Sequence, residues 1–567
     1  MIDLIFYLSF LIFSVLLSGV FFSKFIFYNK IHSLHLYEIG FLGIFFHTFL
    51  ATFVHYFLPL NTNINFLIWV IFFCNFLFFF ESKSLLRKLN DKKLIILISF
   101  FISLVMTIKF RTHEDYGFYH LPYIINVISE KIIFGLANLQ VQYAWNSTWL
   151  NFSSSLNFPI MELKGVLLSN SILYFFLLIF IFDKILKFKK ENYSKLSFYF
   201  IVFFIFYCLI KFSRLSEHGF DFPANLFLIL SFYYFIKLFE NRNINSYQKN
   251  FIFIFFLSIL GISIKLSTFI SPILILSSFI FLYREKFKFL KIMNVLILGL
   301  CCCFIWLIQQ FIYTSCLIPF FEFSCIASIE WYNPGLANAL NDVTGAVNKS
   351  FNDYSGYLDK NEYIKNFNWV VTWFDRNKIE FAEHFAAIFI PIFIIISINL
   401  YKLNFKNEKV INSIKYPKIF YYTIIIFLFF GLSIWFLKSP VIRFGVPYFY
   451  IAIFFISVYF LFYKFKRNLH IGFLSILIIC VAYNLSKNFN RINKVKDSEK
   501  YFPQILNINY SSLTINNYEI NYPDHHEVST QSNLCWSIPF ICHIGKGKNI
   551  HLKKRMNYYF ITYSNNE

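Results

Sequence analysis

The chain has 567 residues, of which 58% are hydrophobic, 23% aromatic and only 14% charged. A soluble protein of this length carries far more charge, so composition excludes a soluble globular class and predicts an all-α polytopic membrane protein. The formal net charge of +21 would suit a polyanion partner, but no basic face on a readable fold appears, which argues against nucleic acid.

At about 20 apolar residues per span, the hydrophobic runs predict roughly 14 transmembrane helices. They fall near residues 2–22, 38–58, 63–80, 94–110, 165–183, 197–213, 222–238, 251–265, 267–283, 291–312, 382–401, 419–437, 445–463 and 470–486. The first run starts with Asp3 rather than a basic segment and has no small-x-small cleavage site, so it reads as a retained helix and not a signal peptide. Basic residues gather in alternate loops, as at Arg87, Lys88, Lys92 and Lys93, at Lys184 and Lys195, and at Arg284 and Lys288. That alternation is the positive-inside pattern, so the excess charge reports topology. It puts the loops 111–164 and 313–381, the turns 213–222 and 438–444, and the tail after 487 together on the outside face.

Two regions follow: a transmembrane bundle over 1–486 and a small C-terminal extracytoplasmic domain, β or α/β, over 487–567. In the latter, Leu513 to Ile515 and Tyr518 to Tyr522 alternate around Asn516-Asn517 and predict a hairpin. Pro122 suits the first turn of a helix. Leu121, Ile124, Ile125, Ile128 and Ile132 recur at helical spacing after it, predicting an interfacial amphipathic helix, with a buried loop helix as the alternative. Cys74, Cys208, Cys301, Cys302, Cys303 and Cys480 lie inside predicted spans. The remaining four pair by proximity on the outside face, Cys316 with Cys325 and Cys535 with Cys542, as two disulfides suited to an oxidising compartment.

The densest chemistry is Arg111-Thr112-His113-Glu114-Asp115-Tyr116-Gly117-Phe118-Tyr119-His120. Adjacent carboxylates where a span meets water are suited to act as a general base on a hydroxyl, and the rings suit a sugar face. Their bland role is to solvate a helix end or pair with Arg111. A second outside turn carries Glu217, His218 and Asp221, which either shares that site or is a solvated turn. Lys265 and Arg443 fall on the same face, where each is a phosphate-binding cation or a plain interfacial anchor. His113-Glu114-Asp115 with His120 is also a weak divalent-metal ligand set, as is Asp524-His525-His526-Glu527, though neither has zincin spacing. No nucleotide-cradling glycine loop or nucleophile elbow occurs, so energy would come from a substrate already in the membrane.

The Glu114-Asp115 motif in a large outside loop, followed by the helix from Leu121, resembles the GT-C superfamily of polytopic glycosyltransferases. His113 to Pro122, Arg214 to Pro223, Ile264 to Ser267, the Cys316/Cys325 loop ending in Trp331, Pro440 to Gly445, and Cys535 through Cys542 are similar to a family of uncharacterised bacterial multi-span proteins. About four spans precede the acidic motif here, where GT-C enzymes usually have one. The resemblance implies a bacterial inner-membrane enzyme with its C-terminal domain in the periplasm. It would transfer a sugar from a polyprenyl-phosphate-linked donor to an acceptor at the outer face. In that scheme Asp115 or Glu114 is the base, and Lys265 and Arg443 hold the leaving phosphate. His113, His120, Glu217 and Asp221 contact the acceptor or a metal. The competing classes are a transporter, flippase or polymerase-like protein of surface polysaccharide, and a non-catalytic membrane assembly protein.

Overall fold

Apolar runs of this length can satisfy their backbone groups in lipid only as helices, and helices are what they form. A computed structural model describes residues 2–27, 33–78, 82–108, 115–186, 195–212, 215, 219–240, 243–403, 416–461, 469–493, 505–515, 518–524, 534–544 and 550–563. The first half contains α1 (Ile2–Phe27), α2 (Leu36–His55), α3 (Thr62–Phe78), α4 (Ser82–Asp91), α5 (Lys93–Thr107), α6 (Leu121–Ser129), α7 (Thr148–Ser154), α8 (Ser169–Leu186), α9 (Leu196–Lys211), α10 (Asp221–Glu240) and α11 (Ile244–Ile264). The second contains α12 (Pro272–Arg284), α13 (Met293–Thr314), α14 (Leu336–Gly345), α15 (Lys360–Ile364), α16 (Trp369–Leu403), α17 (Lys418–Lys438), α18 (Ile442–Leu461) and α19 (Leu469–Asn493).

Among the described residues, nine helices are long and apolar enough to cross a membrane. The other predicted runs form the shorter apolar helices α3, α5, α9 and α18 and the second half of α16. Helix α16 begins at Trp369, well before the predicted 382, because its first half is a charged helix carrying Asp375, Arg376, Lys378 and Glu380. Helices α8, α10 and α11 are buried nearly all round and form the centre of the bundle. Residues such as Phe101, Leu276, Phe304 and Phe429 are exposed on the outer helices, as lipid-facing side chains are.

Close crossings depend on small residues. A Cβ on Gly19 would stand 2.1 Å from the Ile39 carbonyl oxygen, and one on Gly43 would stand 2.1 Å from that of Val15. The α1 and α2 backbones therefore meet directly, as small-residue helix pairs do in lipid. A buried polar network ties α2, α6, α7 and α13 together. The Asn151 amide donates to Thr52 Oγ1 and Gln309 Oε1, both at 3.0 Å, and accepts from the Tyr123 hydroxyl at 2.9 Å.

The stretch after the acidic motif differs from the interfacial expectation. Tyr116–His120 form one π-helical turn that runs into α6, with Pro122 in the first turn as predicted. Helix α6 is only nine residues long, and Leu121, Tyr123, Ile124, Ile125 and Val127 are all buried. Of the polar positions that suggested an interfacial face, Asn126 is buried in the bundle, while Ser129 is exposed and Glu130 and Lys131 are half-buried.

The C-terminal part contains β1 (Tyr510–Ile515) paired antiparallel with β2 (Tyr518–Pro523), and β3 (Ile550–Arg555) paired antiparallel with β4 (Tyr558–Tyr563). The first pair is the predicted hairpin, although Asn516 and Asn517 lie outside the described residues. The second was not foreseen. Its two turn residues, Met556 (φ 49°) and Asn557 (φ 64°), are both left-handed, the geometry a two-residue hairpin turn favours. Cys316–Cys325 and Cys535–Cys542 are both disulfide-bonded, and the other six cysteines are free.

These strands do not stand apart from the bundle. The Phe134 N–H donates to the Tyr559 carbonyl at 2.9 Å, the Ile561 N–H donates to the Phe134 carbonyl at 2.8 Å, and Phe134 stacks on Phe560. Trp331 packs edge-on against Phe134, and beside it Glu330 accepts from Lys553 at 2.6 Å and Arg555 at 2.9 Å. The Lys553 hydrogen bond holds the Glu330 carboxyl below the usual carboxylate range. The disulfide loop reaches the acidic motif itself: the Trp536 N–H donates to the Gly117 carbonyl at 2.9 Å. A Cβ on Gly117 would stand 2.1 Å from the indole ring.

Two outcomes follow from this docking. Denatured, unreduced protein should take up a thiol reagent at six of its ten cysteines, read by intact mass. Gly117→Ala should release the Trp536 loop, seen as proteolysis after residue 493 at protease concentrations at least tenfold below those wild type needs, a shift of about 1.4 kcal/mol in local opening.

Candidate functional site

Three chain segments that are remote in sequence place charge at one end of the bundle. Asp221 opens α10, Lys265 sits in the break between α11 and α12, and Arg443 lies in the first turn of α18. The Asp221 carboxylate binds both cations: Lys265 Nζ contacts Oδ1, and Arg443 Nε reaches Oδ2 at 2.6 Å. Lys265 is also held against the Phe444 ring, with Nζ 3.3 Å from the centroid, and lies 5.3 Å from that of Phe220. Burial keeps the Lys265 ammonium below its ordinary lysine value, against the opposing pull of Asp221.

The elements that carry these groups are individually braced. The Trp373 indole N–H donates to the Pro440 carbonyl and that of Trp435 to the Val441 carbonyl, both at 2.8 Å. Asn225, one turn into α10, donates to the Arg443 carbonyl at 2.8 Å. The turn bearing Arg443 is thus fixed from three sides. Lys265 follows the last turn of α11, and its own carbonyl accepts from the Thr268 hydroxyl at 2.9 Å.

The acidic motif faces the same cluster. Asp115 interacts electrostatically with Lys265, Arg443 and Tyr119. His120 is buried, its ring 4.3 Å from that of Tyr119 and 5.0 Å from that of Phe220, and it interacts with Asp221. Tyr119 and Phe220 also line a small recess with Tyr143, Trp145 and Asn146. The structure therefore brings Asp115, His120, Asp221, Lys265 and Arg443 together. His113, Glu114 and Glu217 lie outside the described residues, as do His525, His526 and Glu527. Among the described residues, no group of three or more His, Cys, Asp or Glu side chains is placed to hold a metal ion.

Sequence reading missed the rings of Phe220 and Phe444 and the Trp373, Trp435 and Asn225 braces. Phe220 and Phe444 were detectable as neighbours of Asp221 and Arg443. The tryptophans carried no signal, because an indole at a membrane boundary is ordinary.

Chemically, the arrangement offers two cations partly neutralised by one carboxylate, with a second carboxylate nearby. Arg443 retains 46% of its side-chain exposure, against 28% for Asp221 and 16% for Lys265. Arginine is thus the group an incoming anion meets first, and its remaining N–H groups suit a phosphate.

Asp221→Asn leaves Lys265 and Arg443 facing each other without their counter-ion. The expected loss is about 1–2 kcal/mol, less than for a fully buried pair because Arg443 is half exposed. Thermal unfolding in detergent measures it, and adding Lys265→Gln to the same chain should recover part of the loss.

No curated protein and no solved structure matches this chain. Residues 1–450 match a family described as a domain of unknown function, DUF8201. That stretch includes Asp115, His120, Asp221, Lys265 and Arg443 and excludes the β-hairpins. Because the match covers most of the 567 residues, the chain belongs to the DUF8201 family.

Proposed function

We propose that this protein is a membrane glycosyltransferase that moves a sugar from a polyprenyl-phosphate-linked donor to an acceptor at the bundle end holding Asp221. The observation that carries the reading is the convergence of two cations, Lys265 and Arg443, on one carboxylate, with Asp115 and aromatic rings beside them. A lipid phosphate needs cations at membrane depth, and an acceptor hydroxyl needs a base. The two disulfides support an oxidising compartment at this end, which in this reading is the periplasm, with the chain crossing a bacterial inner membrane.

In this scheme Asp115, with Glu114 as the neighbouring alternative, takes the proton of the acceptor hydroxyl. The acceptor oxygen attacks the anomeric carbon as its bond to the phosphate oxygen breaks, and the electron pair leaves with the polyprenyl phosphate. Arg443 and Lys265 stabilise that charge as it develops. Asp221 holds the two cations apart from each other and aimed at the phosphate, a positioning role instead of direct contact with the acceptor. His120 and the rings of Tyr119 and Phe220 would face the sugar.

Asp115→Asn should lower transfer at least about 100-fold with the thermal midpoint unchanged. Glycolipid profiles of cells carrying that variant in place of wild type provide the readout, and an unchanged profile would refute the assignment. Binding of polyprenyl phosphate to the purified protein should weaken as pH rises through the lowered pKa of Lys265, below the value of about 10.4 for free lysine. The sign follows from the chemistry: lysine is a cation only below its pKa, and the phosphate needs the cation.

A further inference from the structure

Helix α10 carries a second charged cluster at its other end, roughly 24 Å from Asp221 at 1.5 Å per residue. Glu38, fully buried in the first turn of α2, accepts from Lys249 Nζ at 2.6 Å, from the His35 backbone N–H at 2.8 Å and from the Tyr234 hydroxyl at 3.1 Å. Asp183, near the end of α8, takes Lys92 as an ion pair and lies 3.4 Å from His35 Nδ1. Glu240 accepts from the Ser197 N–H at 2.8 Å, from the Ser197 hydroxyl and from the Tyr416 hydroxyl at 3.0 Å. Every carboxylate of the cluster is thus engaged by donors other than Lys184 and Lys237.

Those two lysines face aromatic rings instead. Lys184 Nζ stands 5.8 Å from the centroids of both Tyr37 and Phe180. Lys237 Nζ stands 5.8 Å from that of Tyr233 and 5.6 Å from that of Tyr234. Each is partly exposed, and neither forms an ion pair with a carboxylate among the described residues. Glu38 attracts both lysines, Asp183 attracts Lys184 and Glu240 attracts Lys237, while the two lysines repel each other and Lys249, and Lys195 adds its charge to the side of Lys184. Among the described residues, lysines outnumber carboxylates here at the end of four apolar helices, where charge is costly.

We propose that α2, α8, α10 and α11 form a phosphate-binding site at this end, in which Lys184 and Lys237 grip the phosphate of an anionic lipid headgroup. Rings and not paired carboxylates face the two ammonium groups, and each feels the other's charge, so a single phosphate would be drawn between them. Basic pockets between membrane helices bind anionic headgroups in this way. The site is separate from the Asp221 cluster and does not depend on what that cluster does.

The test uses the purified full chain in detergent, titrated with phosphatidylglycerol, phosphatidylcholine or inorganic pyrophosphate and read by native mass spectrometry. Wild type should bind phosphatidylglycerol saturably and phosphatidylcholine at least about tenfold more weakly. Lys184→Gln with Lys237→Gln should weaken phosphatidylglycerol about tenfold or more, while Lys184→Arg with Lys237→Arg retains it. The control pair Lys286→Gln with Lys288→Gln, on exposed residues of the neighbouring turn, should change nothing. Saturable pyrophosphate binding that the glutamine pair abolishes would support the phosphate site with a soluble ligand as its source. The proposal is overturned if the glutamine pair binds phosphatidylglycerol as wild type does, or if the arginine pair loses it equally. It is also overturned if wild type prefers neither phosphatidylglycerol nor pyrophosphate to phosphatidylcholine.

Discussion

The carboxylate of Asp221 is the contact on which the outer end of this molecule depends. It joins α10, the break after α11 and the start of α18 through two charge-assisted bonds, where three apolar helices end or begin. A charge there is tolerated only when paired. The pairing therefore does more than neutralise: it decides where α18 begins relative to α10 and turns Arg443 toward the acidic motif. The Trp373 and Trp435 indoles complete the restraint by accepting no freedom in the Pro440-Val441 turn.

The two charged clusters lie at opposite ends of α10, and the junction of α6 and α7 with the ends of α2 and α13 is held by neutral polar groups. Asn151, Tyr123, Gln309 and Tyr313 exchange hydrogen bonds across three elements without placing a formal charge among them. This is the economical arrangement in hydrocarbon, where an amide can be satisfied by its neighbours but an ion needs a counter-ion. It also separates tasks physically. The Asp221 cluster and the lysine-rich cluster around Glu38 lie at opposite ends of α10.

The C-terminal strands pack against the bundle at the end that holds the acidic motif. Two of their contacts with the bundle differ in kind. At Phe134 the contact is a strand-like exchange of backbone hydrogen bonds backed by stacked rings. At Gly117 it is a steric fit, with an indole occupying the space that any other residue's Cβ would claim. The glycine inside the acidic motif is thereby explained by packing, and the Cys535–Cys542 disulfide keeps Trp536 presented to it.

Much of the architecture was legible in the chain. Hydrophobic runs near 20 residues, alternating basic loops and two short-range cysteine pairs specified a multi-pass helical protein with loops sorted onto two faces, because lipid imposes those patterns locally. The residues Asp115, His120, Asp221, Lys265 and Arg443 were visible as charges out of place in an apolar sequence. Their partnership was not, since residues 44 and 222 positions from Asp221 come together only when α10, α11 and α18 pack. The same limit hid the burial of α6, whose Asn126 looked solvent-directed but is buried, and the second hairpin, whose left-handed turn at Met556-Asn557 carries no glycine to mark it. Local patterns in the sequence report the solvent each segment meets; only the tertiary structure decides which charges meet each other, because that depends on distances between helices that no local pattern contains.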